Sequence, residues 1–307
     1  MTRRELLASA MAAAIARGDT TSKTSHLAAI NDEIGLTPRE TIAFAKQYGI
    51  QWVELRASQM PNQSQYCEML TPSACRELRK LLNDNGLAVT VLDSSLLKCA
   101  LPGTVVVKRE DFYVKYFAKL GLTDEMLFRD RLDLLKRTMD TAHALGTTNI
   151  RIFGFWRVQE PAQVLPRIAD VISEMIEVVR KDGCRLLLEN ESSTCVGTSA
   201  ETAELFGRVL SPNLELNWDP QNSAALNDVP FPEGYAKLPK NRIANVHVKA
   251  EGLFGPKKPL DWGAIMHALL KDGYTGKFSL ETHRGHGPDN VKASHECMEK
   301  MIQLINS

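Results

Sequence analysis

The sequence predicts an α/β protein built as a single (β/α)8 barrel, the TIM barrel. Short β-rich segments alternate with longer helical patterns from His26 onward, eight strand segments can be assigned, and residues 26–307 exceed the roughly 250 residues that such a barrel typically needs. A doubly wound open sheet is the alternative, but no GxGxxG turn follows the first strand. The predicted strands are His26–Ile30, Gln51–Arg56, Ala88–Asp93, Asn149–Phe155, Arg185–Asn190, Asn213–Asp219, Arg242–Lys249 and Lys277–Thr282.

The predicted helices have recognisable first and last residues. Thr37-Pro38-Arg39-Glu40 combines a capping threonine, a proline at the first helical position and a glutamate at the third, and Thr71-Pro72-Ser73 repeats this opening. Glycine often follows the last turn of a helix, because it adopts the left-handed backbone conformation easily. Five glycines fall at such positions: Gly49, Gly86, Gly146, Gly183 and Gly273.

Charge balance and cysteine spacing exclude several classes of binding partner and of structural cross-link. Lys and Arg together number 37, as do Asp and Glu, so no net charge attracts a polyanion such as DNA. The six cysteines contain no CxxC pair, which favours reduced, buried thiols over a disulfide framework or a zinc knuckle. After residue 25, no stretch approaches the roughly 18 apolar residues of a membrane span. We therefore expect a small-molecule partner, and neither nucleic acid nor membrane.

Residues 1–25 are interpreted as a leader or a disordered segment outside the barrel. Thr2-Arg3-Arg4-Glu5-Leu6-Leu7 and the alanine-rich run after it resemble a twin-arginine export signal, with Ala14-Ile15-Ala16 as the cleavage site. The apolar run is short and Arg17 ends it, so an N-terminal helix on a cytoplasmic protein is the alternative. The bacterial periplasm and the cytoplasm both stay open as locations.

The connection after the third predicted strand is unusually long and spans residues 94–122. Phe112, Tyr113, Tyr116 and Phe117 lie in it at helical spacing, which predicts a short extra helix. Long loops at the C-terminal face of a barrel are often lids or specificity elements. A helix that only covers an apolar surface is the alternative.

Four predicted strands in the second half of the chain each end in a residue that can bind a metal. Side chains at the C-terminal ends of barrel strands share one mouth, and neighbouring strands lie about 4.8 Å apart. Three carboxylates and one imidazole around one divalent ion suit Mn²⁺, our first choice, with Mg²⁺, Co²⁺ and Zn²⁺ as alternatives. An ion-pair network without a metal is the other interpretation. The four residues are Glu189, Asp219, His247 and Glu281.

These strand ends belong to a larger set of short motifs. The motifs are Ile30-Asn31-Asp32-Glu33-Ile34, Val53-Glu54-Leu55-Arg56, Leu188-Glu189-Asn190-Glu191, Asp219-Pro220-Gln221-Asn222, Val246-His247-Val248-Lys249, Pro259-Leu260-Asp261-Trp262, Gly273-Tyr274-Thr275-Gly276 and Ser279-Leu280-Glu281-Thr282-His283. Together they resemble the sugar phosphate isomerase/epimerase family of xylose isomerase-like barrels, over essentially everything after residue 25. That superfamily includes ketose 3-epimerases, hydroxypyruvate isomerase and inosose dehydratase, so the resemblance identifies the superfamily better than the substrate.

The resemblance implies roles for the four strand-end residues. Glu189, Asp219, His247 and Glu281 become the metal ligands, and the two glutamates also act as acid and base. A divalent ion that chelates a sugar carbonyl and the adjacent hydroxyl would stabilise the enediolate, and carboxylates on opposite faces would remove and return the proton. The chain departs from many relatives at Asn222, where they have histidine.

Further residues are candidates for substrate binding. At two of these positions a structural role is the alternative and, from the sequence, the favoured one. Glu54 and Arg56 would then take part in an internal Glu–Arg ion pair between barrel strands, and Trp156 would close the core instead of stacking on a sugar face. The candidates are Glu54, Trp156, Glu191, Asn222, Lys249 and His283.

Two candidates near the last strands have their own alternatives. Lys249 contacts a substrate oxygen or phosphate, or else pairs with Glu251 or Glu281. His283 and its neighbours Arg284 and His286 supply hydrogen bonds behind the ligands or hold a phosphate, or else are solvated loop residues.

We therefore expect a divalent-metal-dependent isomerase or epimerase that acts on a small sugar, keto-sugar or polyol through an enediolate. A lyase or dehydratase on the same site is the first alternative, because the same enediolate can expel a β-substituent. A catalytically silent sugar-binding barrel is an alternative of another class. The resemblance also implies a homo-oligomer, by analogy with relatives. A DNA-cutting barrel of the endonuclease IV kind is disfavoured. It would need more histidine and acidic ligands and a basic face, and the charges of this chain are balanced.

Overall fold

The computed structural model describes residues 23–60, 63–255, 260–285 and 287–307. Within them, eight parallel strands close a barrel in chain order, and the first strand pairs with both the second and the eighth. The predicted TIM barrel is thereby confirmed. The strands are β1 (Leu27–Ile30), β2 (Trp52–Leu55), β3 (Ala88–Leu92), β4 (Asn149–Ile152), β5 (Arg185–Glu189), β6 (Leu214–Trp218), β7 (Ile243–Val248) and β8 (Lys277–Leu280).

Long helices cross between most of these strands on the outside of the barrel. The predicted helix openings are confirmed: the Thr37 side chain accepts a hydrogen bond from the backbone of Glu40 in a full capping box, and Thr71 caps the second long helix. Gly49 and Gly146 end helices in the left-handed conformation. The long helices are α1 (Pro38–Tyr48), α2 (Pro72–Asp84), α3 (Arg131–Leu145), α4 (Pro161–Val179), α5 (Ser199–Arg208), α6 (Trp262–Lys271) and α7 (Pro288–Asn306).

Shorter strands and helices lie in the connections between the barrel strands and the long helices. Strands Ala57–Met60 and Gln63–Tyr66 form an antiparallel pair after β2, and Val106–Lys108 pairs with Arg157–Val158. The predicted extra helix in the long connection is confirmed as Asp111–Lys119. The other short helices or helical turns are Asn31–Ile34, Cys67–Met69, Asp124–Arg129, Arg180–Asp182, Pro220–Ala224, Pro230–Gly234, Tyr235–Lys237, Lys240–Arg242 and Ala250–Phe254.

The strands divide their side chains between two environments, because successive residues point to opposite faces. On β5, Leu186 and Leu188 belong to the apolar layer between barrel and helices, where burial of one such side chain contributes about 1.5–3 kcal/mol. Glu189 instead belongs to a hydrogen-bonded group with Asn217 and His247 from the next two strands. The same alternation places polar side chains in the upper barrel interior, which is where a site can form.

Two other expectations concern the chain as a whole. The six cysteines are free and buried, as predicted, with no disulfide among the described residues. In the part of the chain that the structure describes, no helix combines the length and the apolar character needed to cross a membrane. The predicted leader falls almost entirely on residues 1–22, which lie outside the described residues, as do Pro259 and His286.

Candidate metal centre at the barrel mouth

The structure brings the four predicted ligands together at the C-terminal ends of β5 to β8. Glu189 ends β5, Asp219 and Glu281 directly follow β6 and β8, and His247 is the penultimate residue of β7. One ligand atom from each lies within 4.8 Å of the others. His247 Nδ1 is 3.1 Å from Glu281 Oε2 and 3.5 Å from Glu189 Oε1. All four side chains are buried.

Three of these atoms are held by charge pairs within the cluster instead of by ordinary hydrogen bonds. Asp219 Oδ2, His247 Nδ1 and Glu281 Oε2 are inaccessible to solvent and make no hydrogen bond of regular geometry among the described residues, although Lys249 Nζ lies 2.6 Å from Asp219 Oδ2 and His247 Nδ1 lies 3.1 Å from Glu281 Oε2. Buried polar atoms are nearly always hydrogen-bonded, and atoms held only by charges of their own cluster can take a cation as a further partner. One nitrogen and carboxylate oxygens form a donor set that fits a divalent cation.

His247 is held by a carboxylate on the far side of its ring. Its Nε2 lies 3.1 Å from Glu54 Oε2, and both side chains are fully buried. Asn245 donates to the other oxygen of Glu54 at 2.8 Å. This arrangement fixes the ring so that Nδ1 faces the other ligands, a common support for metal-binding histidines.

An internal Glu–Arg ion pair between barrel strands is present, but it joins Arg56 after β2 to Glu281 after β8 and does not include Glu54. Glu54 lies inside the barrel beneath the ligands, whereas Arg56 follows the last residue of β2 and its long side chain extends over the mouth. There Arg56 Nε lies 3.1 Å from Asp32 Oδ2, and its other nitrogens contact Glu33 and Glu281. Glu54 is also fully buried and does not line the cavity described below, so it is not placed to touch a substrate.

Each of the two glutamate ligands has an arginine partner. Arg151 Nη1 donates to Glu189 Oε2 at 3.0 Å, and Arg56 Nη1 donates to Glu281 Oε1 at 3.0 Å. Arg151 also lies 3.6 Å from Asp93, a buried carboxylate with no hydrogen-bond partner among the described residues. The guanidinium groups orient the two glutamates and leave their other oxygens directed toward His247 Nδ1.

Lys249 and Asn222 surround the remaining ligand. Lys249 Nζ lies 2.6 Å from Asp219 Oδ2 and 3.4 Å from Glu281 Oε2, and it donates to Asn222 Oδ1 at 2.8 Å. Pairing of Lys249 with Glu281 is therefore present, whereas no contact with Glu251 is found in the described part of the chain. The Asn222 amide also donates to Glu189 Oε1 at 3.3 Å, so both residues belong to the ligand surroundings.

The neighbouring charges set the ionisation of the ligands. Burial opposes ionisation of Glu189, but the charges of His247 and Arg151 outweigh it and lower the pKa of that carboxyl. Burial likewise disfavours a charged His247, yet the surrounding carboxylates, Glu54 foremost, raise its pKa. Burial raises the pKa of Asp219, and Lys249 opposes this only in part. Without a metal, the centre therefore retains protons on groups that a metal would need in unprotonated form.

A cavity of about 550 Å³ opens above this centre. Glu189 and Glu281 line its floor, and the predicted contacts Glu191 and His283 line its wall. Glu191 is half-buried and accepts hydrogen bonds from Asn222, whereas His283 is 48% exposed and its Nε2 lies 3.1 Å from Glu281 Oε1.

Trp156 does not line this cavity. It is fully buried and packs with Tyr66, Tyr113 and Phe117, which is the alternative that we favoured from the sequence. A larger cavity of about 650 Å³ lies at the N-terminal ends of the strands, around Trp52 and Asn149. It contains none of the predicted ligands, whereas the smaller cavity is lined by Glu189 and Glu281.

Several residues of the site were not predicted from the sequence. Arg151 carried the clearest signal, a charged residue inside an apolar strand segment. Asp32 and Glu33 were seen only as part of a motif, and their contact with Arg56 depends on how the loop after β1 folds. Lys98 and Glu110 lie in the long connection, where no periodic pattern indicates the direction of a side chain.

Comparison with known proteins agrees with this geometry. The sequence model of the xylose isomerase-like TIM barrel family matches residues 42–301. This chain belongs to that family. Among curated proteins, no sequence matches it.

Solved structures of this family superpose on almost the whole chain. The 3-keto-D-glucoside 4-epimerase YcjR from E. coli has a TM-score of 0.66 and 14% identity, over 92% of this chain and 99% of that one. The probable 3-DHS dehydratase AsbF from Bacillus anthracis has a TM-score of 0.64 and 17% identity, over 90% of this chain and 98% of that one. A xylose isomerase-like TIM barrel protein from Mycobacterium smegmatis in complex with magnesium has a TM-score of 0.59 and 18% identity, over 91% of this chain and 96% of that one. At these identities, the likeness shows a shared fold.

Proposed function

We propose that this protein is a divalent-metal-dependent isomerase or epimerase that acts on a small sugar, keto-sugar or polyol by proton transfer next to a carbonyl. Residues 26–307 form its catalytic barrel. One observation carries the proposal: the ligand atoms of Glu189, Asp219, His247 and Glu281 lie within 4.8 Å of one another, directly beneath a cavity that both glutamates line. The atoms Asp219 Oδ2, His247 Nδ1 and Glu281 Oε2 also make no hydrogen bond of regular geometry among the described residues, which suits a cation as their shared partner.

The four ligands would hold one divalent ion, and we propose Mn²⁺ first, with Mg²⁺, Co²⁺ and Zn²⁺ as alternatives. When bound, such an ion supplies Lewis-acid polarisation of a carbonyl and stabilises the negative charge of an enediolate. The similarity to a family member that was solved with magnesium supports a divalent ion without deciding which one.

The residues of the chain provide the proton transfer. Arg151 keeps Glu189 ionised, and Arg56 orients Glu281, so either carboxylate can accept a proton from the carbon next to the carbonyl. If each carboxylate approaches a different face of the sugar, one removes the proton and the other returns one with inversion. If a single carboxylate acts, it delivers the proton on the same face to the neighbouring carbon that carried the carbonyl, the hydroxyl proton moves between the two oxygens, and isomerisation results.

Elimination from the same enediolate is the second candidate, and the fold likeness to both an epimerase and a probable dehydratase keeps it open. A silent sugar-binding barrel is the third. We also propose a homo-oligomer, by analogy with relatives.

Incubation of the Mn²⁺-loaded protein with ketoses in deuterated water separates these candidates. An isomerase or epimerase incorporates deuterium next to the carbonyl and conserves the carbon skeleton and its hydroxyls. A lyase releases an unsaturated product. A silent barrel does neither, and its ligand binding would survive in Glu281→Gln, whereas turnover by the enzyme would be abolished in that variant.

A further inference from the structure

The outer half of the cavity has an aromatic wall, which we define as Tyr66, Phe112, Tyr113 and Phe153. The helix Asp111–Lys119 supplies two of these rings. Tyr66 and Tyr113 stack with centroids 5.9 Å apart, and Phe112 packs edge-on against Tyr113 at 5.6 Å. Phe112 remains 64% exposed, so one edge of this wall is open to the solvent and to a ligand.

A polar pair interrupts this wall. Lys98 Nζ lies 4.0 Å from the centre of the Tyr113 ring and 4.2 Å from that of Phe153, and it donates to Glu110 at 2.7 Å. Ser193 donates to the same carboxylate at 2.7 Å. Glu110 is 31% exposed, and Lys98 and Ser193 already donate hydrogen bonds to it, so a ligand hydroxyl can add a further donor to this carboxylate from the cavity.

The part of the cavity lining that the structure describes is acidic. The permanent cations among these described residues are three, and each is paired with a carboxylate of the same cavity: Arg56 with Glu281, Arg151 with Glu189, and Lys98 with Glu110. One divalent ion would reduce the formal excess of carboxylates over cations from three to one. The six carboxylates that line it are Asp32, Glu33, Glu110, Glu189, Glu191 and Glu281.

One place where a phosphate would be expected is occupied by a carboxylate of the chain. The loop before α7 lines the cavity, and loops of this kind at helix N-termini often bind phosphate in barrels. Here the Glu33 carboxylate accepts from Asn290 Nδ2 at 2.6 Å and from the backbone N–H of His283 at 3.1 Å. A phosphate at that point would meet a fixed negative charge.

We propose that the substrate is an uncharged keto-sugar that carries a second sugar ring, and that the second ring lies on the aromatic wall. This inference rests on the proposed function and names its substrate class. A cavity of about 550 Å³ falls in the range of about 300–1,000 Å³ that holds drug-sized ligands, larger than one monosaccharide. The ring's C–H faces suit the aromatic wall, and its hydroxyls can donate to the exposed part of Glu110, a donor that an apolar substituent does not offer.

Three ketoses that share one reactive end test this proposal. D-fructose has no substituent, D-fructose 6-phosphate has a phosphate on O6, and isomaltulose has a glucosyl ring on the same oxygen. With the Mn²⁺-loaded protein in deuterated water, we expect kcat/KM for exchange to be at least about tenfold higher for isomaltulose than for the phosphate. A faster exchange of D-fructose 6-phosphate overturns the proposal.

Variants locate the second ring. Phe112→Ala should lower the ratio of isomaltulose to fructose exchange about two- to tenfold, Phe112→Tyr should restore it, and the control Leu120→Ala on the same exposed connection should not change it. Equal losses for both sugars in Phe112→Ala contradict the assignment. If no ketose exchanges, the proposed function fails, and calorimetric affinities of the same three ketoses still decide the subsite: isomaltulose must bind tightest.

Discussion

Glu54 Oε2 lies 3.1 Å from His247 Nε2, and these two side chains come from β2 and β7, which are not neighbours in the barrel. The contact crosses the barrel interior beneath the four ligands. It leaves Nδ1 as the nitrogen that faces Glu189 and Glu281. The position of the metal centre in the barrel therefore depends on a residue that is not itself a ligand.

Glu54→Gln should weaken Mn²⁺ binding by about 10–100-fold, because the amide no longer fixes the tautomer and orientation of His247. Isothermal titration calorimetry on the metal-free protein measures the change. Glu215→Gln is the matched control, since Glu215 pairs with Arg185 toward the other end of the barrel. Equal affinities for Glu54→Gln and the parent protein would remove the positioning role.

Arg151→Met should destabilise the metal-free protein by about 3–5 kcal/mol, because it removes one partner of the buried ion pair with Glu189. Urea unfolding measures the free energy of unfolding. Arg180→Met removes an exposed ion pair with Glu177 and should cost no more than about 1 kcal/mol. A loss as small as that of the control would show that the Arg151 pair is not critical.

Metal affinity should rise with pH. The metal-free centre raises the pKa values of His247 and Asp219, so protons occupy groups that must be unprotonated to bind a cation. As pH rises through those values, the competition disappears and the affinity increases. Calorimetry in buffers with different ionisation enthalpies should show proton release on Mn²⁺ binding, and an affinity independent of pH with no proton release would refute this.

Asn222→Asp should reduce kcat/KM about tenfold or more, because it places a negative charge where an amide now donates to Glu189 at 3.3 Å. The acidic limb of the pH profile should move to higher pH, because the added charge raises the pKa of Glu189. Asn306→Asp at the exposed end of α7 is the control. An unchanged pH profile would mean that Asn222 does not influence that carboxylate.

Much of this architecture was predictable because barrel strands obey local rules. The period-two alternation and the short connections placed Glu189, Asp219, His247 and Glu281 at one mouth, and the structure brings them together there. Which buried charged side chains pair with one another was not predictable. Glu54 and Arg56 are only two residues apart, yet Arg56 pairs with Glu281 and Glu54 with His247, because the end of β2 separates their environments and contacts across a barrel leave no trace in local spacing.

Direct measurement of metal stoichiometry tests the central claim, which is that those four residues bind a single cation. The protein is stripped with a chelator, equilibrated with Mn²⁺, dialysed and analysed for metal by mass spectrometry, beside Asp219→Asn, His247→Ala and the control Glu215→Gln. We predict one ion per chain for the parent and the control, and at least a tenfold loss of affinity in the other two. Retention of metal by both Asp219→Asn and His247→Ala, or its absence from the parent protein, would contradict the account.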